Sequence, residues 1–251
     1  MGEQALNREE IGAAFHRLTK QGLEDKRVFN AWADALVTAR RLESASGSVP
    51  LPNPQTEGGP GLWSTVRSRH STRIYSPRPV TPGEVSQLLW AGQGRLHGRL
   101  TKGLRTTPSA GARYPIETRL AINRVEGIEP GIYQWDSAEN ALRPVRVGDV
   151  REPLAIVASS QAMCANAPLT LAWIAIVGRT TVRCGQRGYR YLYIEAGHIA
   201  QNVALAAEAL GLGSCQVGGF LDDAVNRLFE TDPEAAPVIY MTSIGAPREP
   251  S

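Results

Sequence analysis

The sequence predicts an α+β fold, in which a central mixed or antiparallel sheet is flanked by helices. Apolar and polar residues alternate over 116–123, as they do in a half-buried strand. Residues 169–177 form a short apolar run bounded by proline and glycine, a pattern typical of a fully buried strand. Apolar residues then recur at helical spacing over 192–210. A chain of 251 residues that mixes both periods is expected to pack helices against a sheet.

The first part of the chain, residues 1–43, is predicted to be a helical arm. Apolar side chains recur at helical spacing, first at Ile11, Phe15 and Leu18 and again over residues 28–37. No apolar segment of signal-peptide type opens this arm, so the sequence predicts a cytoplasmic protein.

Residues 44–61 are predicted to be a linker or a loop draped over the domain. Proline, glycine and serine dominate this stretch, and neither the helical nor the strand period continues through it. Residues 62–251 are then left as the main domain, where both periods return.

A helix start, a hairpin and a last strand complete the predicted elements. Residues 81–84, Thr-Pro-Gly-Glu, form a capping box with proline at the first helical position, which predicts a helix through Trp90. Residues 131–136 and 141–147 predict a hairpin, and residues 237–245 predict the final strand. The helix over 192–210 is rich in alanine and glycine, so we expect it in a core or a subunit interface.

Composition excludes several classes of function. The apolar fraction of 42% and charged fraction of 20% are ordinary for a globular protein. Lysine and arginine are scattered and no apolar run reaches about 20 residues, so neither nucleic acid nor a membrane is the predicted partner. The three cysteines, Cys164, Cys184 and Cys215, form no CxxC pair, so no metal site is predicted.

A cationic segment, Arg69-His70-Ser71-Thr72-Arg73, is the first candidate for a binding site. Arginine offers a planar fork of donors that fits phosphate, and hydroxyl groups can complete the shell around its oxygens. The segment could equally be a solvated surface, which is the usual fate of a short charge run.

Four further segments that could bind a ligand follow the cationic segment along the chain. They are the small-residue loop 108–115, the stretch 185–202, the glycine-rich stretch 211–220 and the terminal residues 244–248. In this order and spacing the chain resembles the FMN-dependent nitroreductase superfamily, and specifically its SagB-type dehydrogenases, the thiazole/oxazole (azoline) oxidases. The resemblance covers roughly residues 62–248, and residues 15–20 also look like the amino-terminal segment of that branch.

The resemblance implies a nitroreductase-like fold, FMN as the cofactor and a homodimer with a long interface helix. The implied cofactor-binding residues are Arg69, His70, Ser71, Arg73, Pro108, Ser109, Ala110, Gly111, Gln201, Val217, Gly218, Gly219 and Arg248. Residues 69–71 would hold the FMN phosphate, the ribityl chain and the pyrimidine edge of the ring, and Arg248 would be a second phosphate contact. Residues 217–219 would lie near the flavin ring. Residues 108–111 would reach FMN from a neighbouring subunit.

Other roles are possible for some of these residues. Arg248 stands near the end of the chain and could be a frayed, solvated arginine. Gln201 could bridge helices in an interface or touch the ligand. His198, in the middle of the predicted helix, is expected to be a core histidine rather than a proton carrier.

The implied catalytic residues are Arg183, Cys184 and Tyr189, and here the chain departs from the family pattern. Many azoline oxidases carry a Lys-Tyr pair at the position that Arg183 and Cys184 occupy. Arginine stays protonated near neutral pH, so Arg183 is a poor substitute for a lysine that releases a proton. Cys184 could be a base as a thiolate or could be inert, Arg183 could bind a carboxylate or a phosphopantetheine group, and Tyr189 could simply be a packing residue.

Three functions therefore stay open. The first is an oxidase or dehydrogenase of natural-product biosynthesis, acting on a thiazoline, oxazoline or related intermediate of a peptide or a carrier protein. The second is an NAD(P)H-dependent reductase of nitro or quinone compounds. The third is a non-catalytic partner in a biosynthetic complex.

Overall fold

The computed structural model describes residues 10–20, 43–44, 46–98 and 100–248. The helices are α1 Ile11–Leu18, α2 Leu62–Ser68, α3 Pro82–Gln93, α4 Arg151–Val157, α5 Ala162–Asn166, α6 Val177–Cys184, α7 Gly188–Ala209 and α8 Asp222–Leu228. The strands are β1 Glu43–Ser44, β2 Val49–Pro50, β3 Ile116–Ile122, β4 Gly131–Asp136, β5 Ala141–Val147, β6 Leu169–Ala175, β7 Gly213–Val217 and β8 Val238–Gly245. Short 3-10 turns lie at Ala110–Ala112 and Gly185–Arg187.

One sheet contains all of these strands, in the order β1-β5-β4-β3-β6-β8-β7, and β2 pairs with β5. Each of the paired strands is antiparallel to its neighbour. The predicted α+β class and the predicted hairpin are therefore confirmed, and the sheet is the antiparallel form of the two that the sequence allowed.

Strand β6 lies at the centre of the sheet and is buried along its whole length. Leu171 and Trp173 belong to the core on one face, whereas Ala172 and Ile174 belong to the core on the other. The prediction of a fully buried strand is confirmed. The strand ends at Ala175, two residues earlier than the apolar run, because Val177 already begins α6.

Helices cover both faces of the sheet. Leu88 and Leu89 of α3 and Ile199 and Val203 of α7 are buried against one face. Helices α4, α5 and α8 contribute apolar side chains to the core on the other face. Each large aliphatic side chain removed from water in this way contributes roughly 1.5 to 3 kcal/mol.

Helix α3 begins as the capping box predicts. The Thr81 hydroxyl accepts from the N–H of Glu84 at 3.2 Å, and the Glu84 carboxylate accepts from the N–H of Thr81 at 2.8 Å. The helix continues to Gln93, one turn beyond the predicted end at Trp90. Gln93 is buried and donates to the carbonyl of Ile116, which fixes the end of α3 against β3.

Helix α7 is the longest of the helices described above, and one stripe of its surface is exposed. Its 22 residues confirm the long helix that the sequence predicts. The exposed stripe is formed by Arg190, Ile194, Gly197, His198 and Gln201. In the part of the chain that the structure describes, no helix has both the length and the apolar content needed to cross a membrane.

The N-terminal segments pack on this domain where they are described. Helix α1 lies against α7, and its Gly12 N–H donates to the side chain of Gln186 at 3.1 Å. The predicted helical pattern over 28–37 lies outside the described residues. Leu51 is buried, and the Gln55 N–H donates to Gln87 at 2.8 Å, so this part of the proline-rich stretch is held on the domain. The division into arm, linker and domain stays a prediction.

Strand β7 forms an edge of the sheet, although no strand is predicted from its glycine-rich sequence. Residues 69–75, which we call the edge loop, run beside it. Ser71 pairs with Ser214 in parallel, and the Thr72 N–H donates to the Ser214 carbonyl at 2.9 Å. A Cβ on Gly213 would stand 2.5 Å from the Thr72 side chain, so the loop can come this close only because residue 213 is glycine.

We expect Gly213→Ala to destabilise the protein by about 1 to 3 kcal/mol, because the added methyl group must displace the Thr72 side chain. Urea unfolding of the purified variant measures this loss. Gly83→Ala is the matched control, since its Cβ would come no closer than 3.9 Å to another atom. Equal stability of the two variants would show that the edge loop does not pack tightly on β7.

Candidate functional site

The edge loop is anchored to the sheet by the buried side chain of Tyr75. Its hydroxyl donates to the Thr72 carbonyl at 2.8 Å and lies 2.8 Å from Ser243 Oγ on β8. Burial raises the pKa of Tyr75, so the hydroxyl stays protonated. The loop is therefore tied both to the edge strand and to the strand beside it.

The last described residue is fixed against the same loop. Tyr75 pairs with Pro247, and the N–H of Arg248 donates to the Ile74 carbonyl at 3.1 Å. The backbone of Arg248 is thus part of the fold and is not frayed. This contact brings the predicted phosphate-binding residue of the C-terminus beside the predicted phosphate-binding loop.

The arginines at this edge have charges that no carboxylate of the described residues neutralises. Arg73 and Arg248 are exposed and Arg69 is half-buried. None of the three forms an ion pair with a carboxylate among the described residues. Their guanidinium donors are consequently available to an anionic ligand.

Polar atoms suited to the same ligand lie between these arginines. Ser71 and His70 are exposed. His70 Nδ1 donates to the Ser68 carbonyl at 3.0 Å, which leaves Nε2 of the neutral ring as an acceptor. The edge loop therefore offers both donors and an acceptor to solvent.

The glycine pair that follows β7 exposes its backbone. Val217, the last residue of the strand, is buried, whereas Gly218 and Gly219 are exposed. The Gly219 carbonyl accepts from the Gln161 side chain at 2.8 Å, which fixes the turn. Ser214 and Val217 are three positions, roughly 10 Å, apart in the strand, so the glycines and the edge loop lie at the same edge of the sheet.

A second group of predicted residues gathers around the loop 108–114. Gly111, Ala112 and Tyr114 have φ values of 65°, 51° and 46°, a conformation that costs energy for residues other than glycine. The Ser109 hydroxyl stabilises the loop by accepting from the Tyr114 N–H at 2.8 Å. Pro108 and Gly111 are exposed, and Ser109 and Ala110 are half-buried.

The structure brings this loop to the end of α6. A Cβ on Gly111 would lie 3.6 Å from Nη1 of Arg183, which is exposed in the last turn of the helix. Cys184 follows it and is half-buried. The predicted catalytic pair and the predicted loop contact therefore belong to one surface of the same chain.

Tyr189 has a different environment. Its ring lies 6.4 Å from that of His16 on α1, and a Cβ on Gly12 would be 2.6 Å from its edge. Burial raises the pKa of Tyr189. These contacts favour the packing role that the sequence left open.

The exposed stripe of α7 changes the interpretation of His198. The sequence suggested a core histidine, but the structure places His198 at the surface beside Gly197 and Gln201. The expectation was wrong because residues 196, 199 and 200 form the buried face of the helix, and residue 198 lies on the opposite side. Gln201 shares this exposed position.

Glu195 is a functional candidate that the sequence analysis missed. It lies on α7, is only 3% exposed, and its Oε2 has no hydrogen-bond partner among the described residues. Burial raises the pKa of Glu195 to about 7, against the opposing effects of a hydrogen bond with Ser109 and attraction to Arg105. The signal was a carboxylate on the apolar face of a helix, between Leu192 and Ile199.

Helix α7 packs against the loop 108–114 and the residue before it. Seven residues beyond Glu195, Asn202 donates to Thr107 Oγ1 at 3.1 Å and to the Ala91 carbonyl at 3.2 Å. Two turns of one helix face therefore contact Thr107 and Ser109. A carboxyl group that titrates near neutral pH stands directly behind the loop.

We expect Glu195→Gln to remove a pH dependence of stability. The folded protein keeps the Glu195 proton up to about pH 7, whereas the unfolded chain releases it near 4.5. The free energy of unfolding should therefore fall as the pH rises between these values, by up to about 3 kcal/mol, because the buried carboxylate becomes charged. The variant, which stays neutral, should lack this fall.

Urea unfolding from pH 5 to pH 8 measures the difference between wild type and variant. Glu208→Gln, which removes a carboxylate from the same helix, is the control. Parallel stability curves for wild type and Glu195→Gln would contradict a raised pKa at this position.

Comparisons with known proteins agree with this architecture. The Nitroreductase family model matches residues 66–246. A protein of Methanocaldococcus jannaschii named "Putative nitroreductase" is 38% identical over 169 residues, which cover 67% of this chain and 84% of that protein. A solved chain from Anabaena variabilis, also named a putative nitroreductase, is 30% identical with a TM-score of 0.71, covering 81% of this chain and 42% of that chain.

A third relative has a more specific name. The microcin B17-processing protein McbC of Escherichia coli is 29% identical over 142 residues, and the alignment covers 54% of this chain and 52% of that protein. The chain therefore spans about half the length of this relative. The family model matches most of this chain, and the Methanocaldococcus jannaschii protein is 38% identical to it. These two findings show that the chain belongs to the nitroreductase family.

Proposed function

We propose that this protein is an FMN-dependent oxidoreductase that binds the phosphate end of FMN along the β7 edge. The observation that carries the proposal is the double anchoring of the edge loop. Ser71 pairs with Ser214, and Arg248 bonds to Ile74, so two distant cationic segments meet at one strand.

The chemistry of this edge fits FMN. A phosphate monoester needs cationic donors, and the guanidinium groups of Arg69, Arg73 and Arg248 have no carboxylate partner in the described residues. A flat ring needs exposed backbone. Gly218 and Gly219 are both exposed and carry no side chain, so a ring can approach their backbone closely.

When bound, FMN would supply a two-electron acceptor for hydride. In this proposal Arg69 and Arg248 hold the phosphate, while Ser71 and His70 bind hydroxyl groups of the ribityl chain. The backbone N–H groups of residues 218–219 donate to the ring. Glu195 holds a proton at its carboxyl group behind Ser109 near neutral pH.

We also propose a homodimer in which the second chain completes the site. The edge loop and the loop 108–111 form two separate groups of predicted contacts within one chain. Helix α7 exposes Ile194, which is 48% accessible, together with Gly197 and His198. A helix face with an apolar residue and a glycine is suited to close packing against a second copy.

The preferred reaction is oxidation of a thiazoline, oxazoline or related intermediate bound to a peptide or a carrier protein. Similarity to a microcin-processing protein supports this substrate class. In this reading Arg183 binds an anionic group of the substrate or its carrier, because it is exposed beside Gly111 and stays protonated. Assembly with other biosynthetic proteins belongs to the same proposal.

A reductase of nitro or quinone compounds that uses NAD(P)H is the second candidate. It is favoured by the 38% identity to a protein named as a nitroreductase, over a larger share of both chains than the microcin relative. A non-catalytic role in a complex, with or without bound flavin, is the third candidate.

Anaerobic assays distinguish these functions. The FMN-loaded protein is mixed with azoline peptides and with NADH or NADPH, while flavin absorbance and product mass are followed. The preferred function predicts flavin bleaching by an azoline and the loss of two hydrogens from that peptide. Bleaching by NAD(P)H alone would establish the reductase, and absence of FMN uptake would leave only the non-catalytic role.

We expect Arg69→Ala to weaken FMN binding roughly 10- to 100-fold, because it removes a charge-assisted contact to the phosphate worth about 1.5 to 3 kcal/mol. Fluorescence titration of the apoprotein with FMN measures the affinity. Arg67→Ala is the control, since it removes the same charge from the exposed end of α2. If both variants bind FMN equally, Arg69 is only a surface residue.

We expect Gly197→Glu to separate the dimer and lower FMN occupancy while the monomer stays folded. Apart from the adjacent backbone of the helix, no atom of the chain lies within 4 Å of a Cβ at this position, and glutamate favours a helix more than glycine does. Light scattering and flavin absorbance measure the outcome. Gly178→Glu, at another open helical position, is the control, and a dimer that survives Gly197→Glu would refute pairing along this stripe.

A further inference from the structure

A polar pocket of about 310 Å³ lies between the end of α3, the start of β3 and the turn after β4. None of the proposed FMN-binding residues lines it. Its charged lining consists of Arg95, Arg105, Arg143, Arg179, Glu117 and Asp136. The number of arginines exceeds the number of carboxylates, so the pocket is cationic.

Two of the four arginines are neutralised within the protein. Arg179 forms an ion pair with Glu117, and Arg143 contacts Asp136 at 2.9 Å. Arg95 and Arg105 form no ion pair with a carboxylate among the described residues. The excess positive charge of the pocket therefore resides on these two guanidinium groups.

A backbone bridge and the Ser137 hydroxyl hold the side chains of both arginines close together. Arg95 and Arg105 face each other in an antiparallel bridge. Arg95 Nε lies 3.4 Å and Arg105 Nη2 lies 3.5 Å from Ser137 Oγ. These are long hydrogen bonds to one neutral acceptor, so most of the donor capacity of the two groups stays free.

The positive charges of Arg95 and Arg105 repel each other, and a bound anion would offset this repulsion. Arg105 is half-buried and lies 5.0 Å from the centre of the Tyr114 ring. Burial and the nearby charges of Arg95 and Arg179 lower the pKa of Arg105, and attraction to Glu195 opposes this without reversing it. A bound anion would remove the repulsion between the two guanidinium groups.

We propose that this pocket, the arginine pocket, binds a compact dianion, a phosphate or a dicarboxylate, through Arg95, Arg105 and the hydroxyl of Ser137. Guanidinium forks match the paired oxygens of both groups. Glu117 and Asp136 do not exclude an anion, because each is neutralised by its own arginine. The dianion is either a free small molecule or the anionic end of a larger ligand, and its binding is independent of FMN.

Isothermal titration of the full-length protein, saturated with FMN so that the β7 edge is occupied, with inorganic phosphate and, separately, with malonate tests this site. Each titration is run in HEPES buffer at an ionic strength fixed with sodium chloride. The proposal predicts saturable binding of one dianion per chain by at least one probe. A preference for phosphate would indicate a phosphorylated ligand, and a preference for malonate would indicate a carboxylate ligand.

Arg95→Gln is the decisive variant, because Arg95 is exposed and its replacement leaves the core intact. It should weaken dianion binding at least tenfold, and Arg105→Gln should do the same. Arg151→Gln, which removes an exposed arginine outside the pocket, should bind as the wild type does. Absence of saturable binding by either probe, or equal affinity of Arg95→Gln and Arg151→Gln, would overturn the proposal.

Discussion

The pairing of the edge loop with β7 is the contact on which the proposed site depends. An edge strand presents unpaired backbone groups, which proteins usually cover or protect. Here the Thr72 N–H bonds to Ser214, and the Tyr75 hydroxyl ties the loop to Thr72 and Ser243. The same loop carries Arg69 and Arg73, and its Ile74 carbonyl accepts from the N–H of Arg248. One segment therefore protects the edge of the sheet and also carries residues of the proposed anion site.

Uncompensated arginines distinguish this chain more than its net charge of +3 does. One group lies at the β7 edge and the other in the arginine pocket. Both lack carboxylate partners among the described residues, whereas Arg78, Arg143 and Arg151 are paired. Charges that the protein leaves unpaired in a concave or fixed setting are suited to ligands rather than to stability. In this account the first group binds the phosphate of FMN, and the second binds a separate dianion.

Much of the fold could be predicted from local pattern, because burial imposes a period on the sequence. Strands β3 and β6 and the start of α3 follow directly from alternation, an apolar run and a capping box. Strand β7 could not be recognised, since Gly213, Ser214 and Gln216 lack strand propensity, and the strand exists because β8 and the edge loop hold it. Contacts with distant parts of the chain, rather than local sequence, make residues 213–217 a strand.

The candidate site was predictable where residue chemistry is explicit and hidden where it depends on distant contacts. The arginines at 69, 73 and 248 were identifiable from sequence as possible phosphate ligands. The convergence of Arg95 and Arg105 on Ser137 depends on a hairpin and a turn that are distant in sequence. Glu195 was visible only as a charge on an apolar helix face, and its raised pKa arises from burial in the folded state.

Hydrogen exchange of the full-length protein with and without FMN tests the central claim most directly, because it reports which backbone amides FMN contacts or orders. The account predicts that FMN slows exchange in residues 69–75 and in residues 214–219, the two segments that meet at the β7 edge. Protection confined to other parts of the chain, with both segments unchanged, would contradict it.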